Sequence, residues 1–245
     1  MSGAGVMMSL PRVYPGFEPV RIEDTHLKIP AHAVLHLLHQ THVGVLATHS
    51  REPHGFPFPT VLPFATDSRH RPVMLMSRLA EHTRNLQADP RAGFLIVRTL
   101  SGDVLSAERA TLIGRAEPLE PAPAVVARYL RYHPDAERYL ALGDFSFWVM
   151  TIERLRYIGG FGTMGWLDAA DLDPIEPLSY EQEAALLAFF ERHPQRPAGL
   201  ELTGVDHYGA DLRLDGLLMR DSFEQPKQTI PELEAALAVC IGRRV

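Results

Sequence analysis

Between residues 43 and 161 the chain is a succession of short β-type runs separated by turn residues, and its helical patterns there are few and short. The runs fall at residues 43–48, 56–66, 73–77, 92–99, 106–119, 145–152 and 156–161. Turn chemistry fills the gaps: residues 50–55 (SREPHG), residues 67–72, and Ser101, Gly102 and Asp103. Helical periodicity is confined to residues 30–40, 80–88, 121–132 and a short piece ending at Leu142. Six or seven strands that do not alternate with long helices exclude a doubly wound nucleotide fold. They predict a closed or nearly closed antiparallel barrel.

One of these strands is odd. Residues 56–66 carry Pro57, Pro59 and Pro63, and three residues without an N–H cannot sit in a central ladder. Part of this strand must be an edge, or bulged, or face a ligand. With the remaining backbone groups free, Phe58, Val61 and Leu62 would make an apolar wall for something planar. An awkward edge strand reads equally well.

Beyond the barrel, residues 167–183 hold six acidic residues, no basic one, Pro174 and Pro177, which reads as a linker. The expected organisation is an N-terminal arm at 1–25, a barrel at 26–168, a linker at 169–179 and a small α+β domain at 180–245. That last domain would hold a helix at 180–192, strands near 200–205, 210–214 and 217–220, and a closing helix from Pro231. The expected class is α+β, mainly β. Met1 to Leu10 makes a poor signal peptide, and no run approaches the roughly 18 apolar residues of a spanning helix. A net charge of −6 with pI near 6.0 argues against nucleic acid or an anionic membrane as partner. A single cysteine, Cys240, leaves no disulfide framework, so the cytoplasm is the expected location.

Two windows could carry chemistry. In the first, Ser77-Arg78-Leu79-Ala80-Glu81-His82-Thr83-Arg84-Asn85-Leu86, a strand ends in a hydroxyl and a guanidinium and a helix begins at once. Unpaired N–H groups and the dipole of that helix favour an anion, and Ser77, Thr83, Arg78 and Arg84 could surround a phosphate. A capped surface helix with solvated arginines is the alternative. In the second, His32, His36 and His39 share one helix face. That spacing can serve a metal or haem, but the stripe lies opposite the apolar Val34/Leu38 face and no carboxylate or cysteine joins it. It reads as a solvated polar face, and no metal site is expected. Walker loops, G-x-S-x-G and H-E-x-x-H are absent, and Gly159-Gly160-Phe161-Gly162 has no helix and lysine behind it.

In order along the chain come Val45-Leu46-Ala47-Thr48, Gly55-Phe56-Pro57 through Pro63-Phe64, and Leu75 to Leu86 with Asp89-Pro90-Arg91. Arg109 to Gly114, Asp144 to Trp148 and Ile158 to Gly162 complete the series. Over about residues 31–168 this resembles the pyridoxamine 5′-phosphate oxidase-like FMN-binding split barrels, in their haem-utilisation (HugZ-like) branch. The resemblance implies a homodimer with FMN at the subunit interface. The phosphate would lie near Ser77, Arg78, His82, Thr83 and Asn85, the flavin ring near Thr60 and Val61, and Arg109 in the same pocket. It implies a flavin-dependent oxidoreductase acting on a small molecule, with no catalytic residue assigned, or alternatively a haem-binding or haem-degrading protein. The tail departs from the branch: where relatives carry His-Met-Asn-x-Asp-His, this chain reads Phe189-Phe190-Glu191-Arg192-His193-Pro194-Gln195. Its last histidine is His207, so His207, His193 or the N-terminal stripe would have to serve haem iron. A barrel that has lost its cofactor and acts as an interaction module is the third possibility.

Overall fold

The computed structural model describes residues 29, 31–98, 106–160 and 163–244. The N-terminal arm, the turn at Ser101, Gly102 and Asp103, and the Phe161–Gly162 end of the glycine-rich run lie outside the described residues. The first sheet has eight strands: β1 (Val43–His49), β2 (Pro57–Pro63), β3 (Ala65–Thr66), β4 (Pro72–Ser77), β5 (Arg91–Val97), β6 (Arg109–Pro118), β7 (Phe145–Ile158) and β8 (Met164–Asp168). They pair antiparallel in the order β2-β1-β5-β6-β7-β4-β3, with β8 on the far half of β7.

The two ends of that order are joined by one residue. β2 stops at Pro63, β3 starts at Ala65, and a sheet whose opposite edges lie that close along the chain has to curl into a half-barrel. Phe64, the joining residue, is fully buried and meets Phe94 edge-on at 5.1 Å. The prolines of β2 fit its edge position: Pro57, Pro59 and Pro63 share one strand parity, so their missing N–H groups all fall on the side away from β1.

Period-2 alternation sends β4 into two cores. Met74 and Met76 join Leu46, Phe94, Ile96 and Trp148 inside the barrel. Val73 and Leu75 face outward, where α3 (Pro123–Tyr132), which is followed by the short α4 (Glu137–Leu140), covers them with Val125 and Tyr129. The expected strands at 145–152 and 156–161 are one strand, β7. Charged Glu153 and Arg154, which interrupt the apolar pattern, are exposed where the register shifts opposite Ile113 and Gly114. The shift needs a glycine, because a Cβ on Gly114 would stand 2.0 Å from the Thr151 carbonyl oxygen.

The C-terminal part is a three-stranded sheet, β9 (Glu201–Asp206), β10 (Gly209–Leu214) and β11 (Leu217–Ser222), with α5 (Tyr180–Glu191) and α6 (Ile230–Gly242) on one face. Both helices begin with a capping box, Ser179 with Gln182 and Thr229 with Glu232. Along β10, Ala210 and Leu212 point to these helices, where they pack with Leu186, Phe190, Leu233 and Leu237. Asp211 points the other way, to the barrel. Helix α1 (Ala31–Gln40) lies between the barrel and this second sheet.

That placement corrects the reading of the histidine stripe as solvated. His32 is exposed, His36 is half-buried and His39 is buried at 2% exposure. The single-faced amphipathic pattern assumed water on the far side of α1. The C-terminal sheet is there instead, and it supplies Asp206, Asp211 and Arg220 as partners.

Candidate functional site

The corner where β4 gives way to α2 (Glu81–Ala88) gathers most of the expected phosphate-binding residues, but it uses their donors internally. Ser77 Oγ donates to Asp144 Oδ2 at 2.7 Å and accepts from the Leu79 N–H. Thr83, fully buried, donates to the Ser77 carbonyl at 2.7 Å. Asn85, also fully buried, donates to Thr48 Oγ1 at 3.0 Å and accepts from the Arg51 N–H. Arg78 reaches the Gly143 carbonyl at 2.5 Å. The hydroxyls that would hold a dianion are thus occupied, and the Asp144 carboxylate adds negative charge beside Ser77. His82 differs: its Nε2 is buried without a hydrogen-bond partner among the described residues, and burial lowers its pKa.

The other expected residues stand apart. Alternation along β2 puts Thr60 and Val61 on opposite faces, Thr60 inward and Val61 outward with 68% exposure. The wall imagined from Phe58, Val61 and Leu62 is divided in the same way, because residues adjacent in a strand cannot share a face. Arg109 opens β6 opposite Ile158, whereas Ser77 pairs with Phe145 at the other end of β7. Within one chain that separation is about 40 Å along the strand.

The outer face of β2, β1, β5 and β6 has no helix over it among the described residues, and it is apolar. Val43, Val61 and Ile113 are exposed there, beside half-buried Val45, Ala47 and Leu95. An antiparallel sheet facing water normally shows polar residues at such positions. A groove of about 510 Å³ is set into this face, floored by Ala47, Gly93, Gly114 and Ile113. His49 stands at its rim with Arg91 and Arg115, which are cross-strand neighbours. Arg91 pairs with Asp89 at 2.6 Å and Arg115 with Glu153 at 3.3 Å.

Sequence reasoning missed a buried polar network between the barrel and the C-terminal sheet. His39 bonds Asp211 through Nδ1 at 2.8 Å and faces His70 Nδ1 through Nε2 at 2.9 Å. His70 bonds Asp173 through Nε2 at 2.9 Å, and Tyr132 donates to Asp211 at 2.6 Å. Arg220 bonds both Asp206 (2.8 Å) and Asp211 (2.7 Å). Burial alone would raise the Asp206 and Asp211 carboxyls, but the Arg220 guanidinium outweighs it and holds both below the usual range. Burial and then Arg220 push His36 down to about 4, and burial does the same to His42. Next to this network Glu183 of α5 accepts from Arg128 at 2.5 Å and Arg131 at 2.6 Å, both on α3. Little in the sequence signalled it, because Asp206 and Asp211 stand in stretches that also carry Glu201, Thr203, His207 and Arg213.

Of the histidines considered for haem iron, His207 has both ring nitrogens against carbonyl oxygens, of Lys227 at 2.6 Å and Glu176 at 3.0 Å. His193 packs on Phe189 and accepts from the Gln195 N–H. His36 accepts from Arg220, and His39 is enclosed.

Known proteins resemble this chain in sequence and in fold. A stretch of 144 residues is 32% identical to the chloroplastic heme oxygenase HOZ of Arabidopsis thaliana, covering 55% of this chain and 41% of that protein. The chain therefore spans less than half the length of that relative. A heme binding protein from Mycobacterium smegmatis superposes with a TM-score of 0.55 at 30% identity, over 87% of this chain and 96% of the other. Atu2129 of Agrobacterium tumefaciens, of unknown function, shares the fold with a TM-score of 0.70 at 23% identity, over 85% and 94% of the two chains. Residues 27–173, the curled barrel with α1 and the start of the following segment, match the CREG β-barrel family, and the chain belongs to that family.

Proposed function

We propose that this protein binds haem in the groove on the outer face of its barrel. The observation that carries the reading is the composition of that groove. An iron porphyrin is held by a flat apolar floor, an axial ligand for the iron, for which an imidazole serves, and cations for its propionates. Ala47, Gly93, Gly114 and Ile113 give the floor, His49 the imidazole, and Arg91 and Arg115 the cations, which propionates would have to take over from Asp89 and Glu153. Small residues on the floor let a planar ring approach the backbone closely. The M. smegmatis relative, described as a heme binding protein, and the plant heme oxygenase support the same ligand class.

The apolar outer face around the groove supports a homodimer, as the family resemblance implies, with the ligand at its border. A face built from Val43, Val45, Val61, Leu95 and Ile113 gains from being covered by a second copy. Bound haem would supply redox chemistry at iron. The chain's own residues hold the ring, orient it and limit water around it.

FMN is the second reading, and one observation favours it: His82 Nε2, buried and unpartnered in the first turn of α2, is placed to meet a ligand group at the corner. The fit is poor for the phosphate itself, since Ser77, Thr83 and Asn85 spend their donors within the protein. Parallel titrations of the purified full chain with haemin and with FMN test the proposal. Haem binding predicts a saturable Soret band with haemin that weakens in His49→Ala. Saturable quenching of FMN fluorescence, with no Soret change on haemin addition, would replace haem by the flavin reading.

A further inference from the structure

The buried network contains two imidazoles in an arrangement that calls for a cation. A carboxylate only accepts hydrogen bonds, so the nitrogen facing it must carry the proton. Asp211 therefore fixes the proton of His39 on Nδ1, at 2.8 Å, and Asp173 fixes that of His70 on Nε2, at 2.9 Å. With both rings neutral, His39 Nε2 and His70 Nδ1 are left as bare lone pairs pointing at one another across 2.9 Å. Asp206 Oδ2 lies 3.3 Å from the same His39 nitrogen. Three electron-rich atoms converge there, and only Asp206 Oδ2 has a donor, Arg220 Nη2 at 2.8 Å. Either an extra proton or a metal ion must lie there.

We infer that His39 Nε2, His70 Nδ1 and Asp206 Oδ2 form a site for one zinc-type divalent ion that ties the barrel to the C-terminal sheet. The three atoms lie within 4.8 Å of one another and all three residues are buried. Ligands at zinc bond lengths of about 2.0–2.2 Å stand roughly 3.3–3.6 Å apart in a tetrahedron, so small side-chain shifts suffice. Each histidine already has its far nitrogen on a carboxylate, the outer-shell arrangement that orients metal-bound imidazoles and fixes their tautomer. The surroundings can take a cation: three carboxylates, Asp173, Asp206 and Asp211, line the network against Arg220, with the Arg128–Glu183–Arg131 cluster next to it.

The backbone is consistent with a residue held for a purpose. His70 sits at φ 59°, a left-handed conformation that side-chain-bearing residues seldom adopt, although histidine takes it more readily than most. The ligands come from α1, from the turn between β3 and β4, and from the end of β9, so the ion would join segments far apart in the chain. It would act as a structural tie and does not depend on the haem reading.

The test uses the full chain, stripped with a chelator and titrated with Zn²⁺ against a chromophoric competitor. The variants are His70→Asn, which tolerates the left-handed backbone, and Asp173→Asn, which leaves all three ligands in place. The wild type should bind one zinc per chain and gain thermal stability with it. His70→Asn should lose both effects, and Asp173→Asn should bind at least about 10-fold more weakly. Absence of stoichiometric zinc in the wild type would overturn the inference and leave a proton between the rings. So would unchanged affinity in either variant, since the zinc would then be on exposed imidazoles such as His32, His49 or His54. If His70→Asn does not fold, the Asp173→Asn affinity decides alone.

Discussion

Glu183→Gln is the sharpest probe of how the two sheets are held together. The substitution keeps shape and size and removes one charge. Glu183 comes from α5, its side chain is 9% exposed, and it accepts from Arg128 and Arg131 of α3. Arg128 is 5% exposed at its side chain and also donates to the Thr66 carbonyl at 2.7 Å. Burial works against its charge, and Glu183 more than compensates, holding the guanidinium protonated more firmly than usual. Removing one partner of a buried pair leaves the other charge uncompensated and costs about 3–5 kcal/mol. Arg131 is 25% exposed and recovers part of its solvation, so the expected loss is about 3 kcal/mol. For a chain of this length that corresponds to a Tm drop of roughly 6–12 °C. Urea denaturation of wild type and variant in the same metal-free buffer measures the loss directly. Glu191→Gln, exposed on the same helix, serves as control and should change stability by less than about 0.5 kcal/mol. A loss below about 1 kcal/mol for Glu183→Gln would refute the view that this buried clasp docks the C-terminal sheet.

Three further outcomes are expected. Gly114→Ala puts a Cβ 2.0 Å from the Thr151 carbonyl and should lower stability by several kcal/mol, read by denaturant midpoint, with about 3 or more anticipated from backbone displacement at a bulge. In metal-free buffer, stability should fall as pH drops from 6.5 towards 4. His36 and His42 stay neutral in the fold down to about 4 but take up protons near 6.5 once unfolded, so acid favours the unfolded chain. Fully enclosed, each would contribute about 3 kcal/mol; allowing for their partial exposure, a combined loss of about 2 kcal/mol is expected by urea titration across that window. If the proposed dimer forms through the apolar outer face, Ile113→Glu should convert it to a monomer in sedimentation velocity while leaving the far-UV spectrum unchanged.

What could be read from the sequence was local. The β4–α2 corner, the proline-bearing edge strand and the two capped C-terminal helices each depend on residues within about a dozen positions of one another. Their hydrogen bonds and burial follow directly from parity and turn chemistry. The face assignments in β2 were harder, because Phe58, Val61 and Leu62 look like one apolar wall until strand alternation separates Val61 from the other two. The buried network was invisible for a different reason. His39 and Asp211 are 172 residues apart, and His70 and Asp173 are 103 apart. Nothing about the α1 stripe distinguishes a solvated imidazole from one facing a second sheet.

The central claim, that the outer groove takes haem, is tested most directly by native mass spectrometry of the full chain mixed with equimolar haemin and FMN. The account predicts a mass increment of one haem per chain that is lost when His49, Arg91 and Arg115 are replaced together by alanine. A chain that carries FMN and no haem, or a haem adduct indifferent to those three residues, would contradict it.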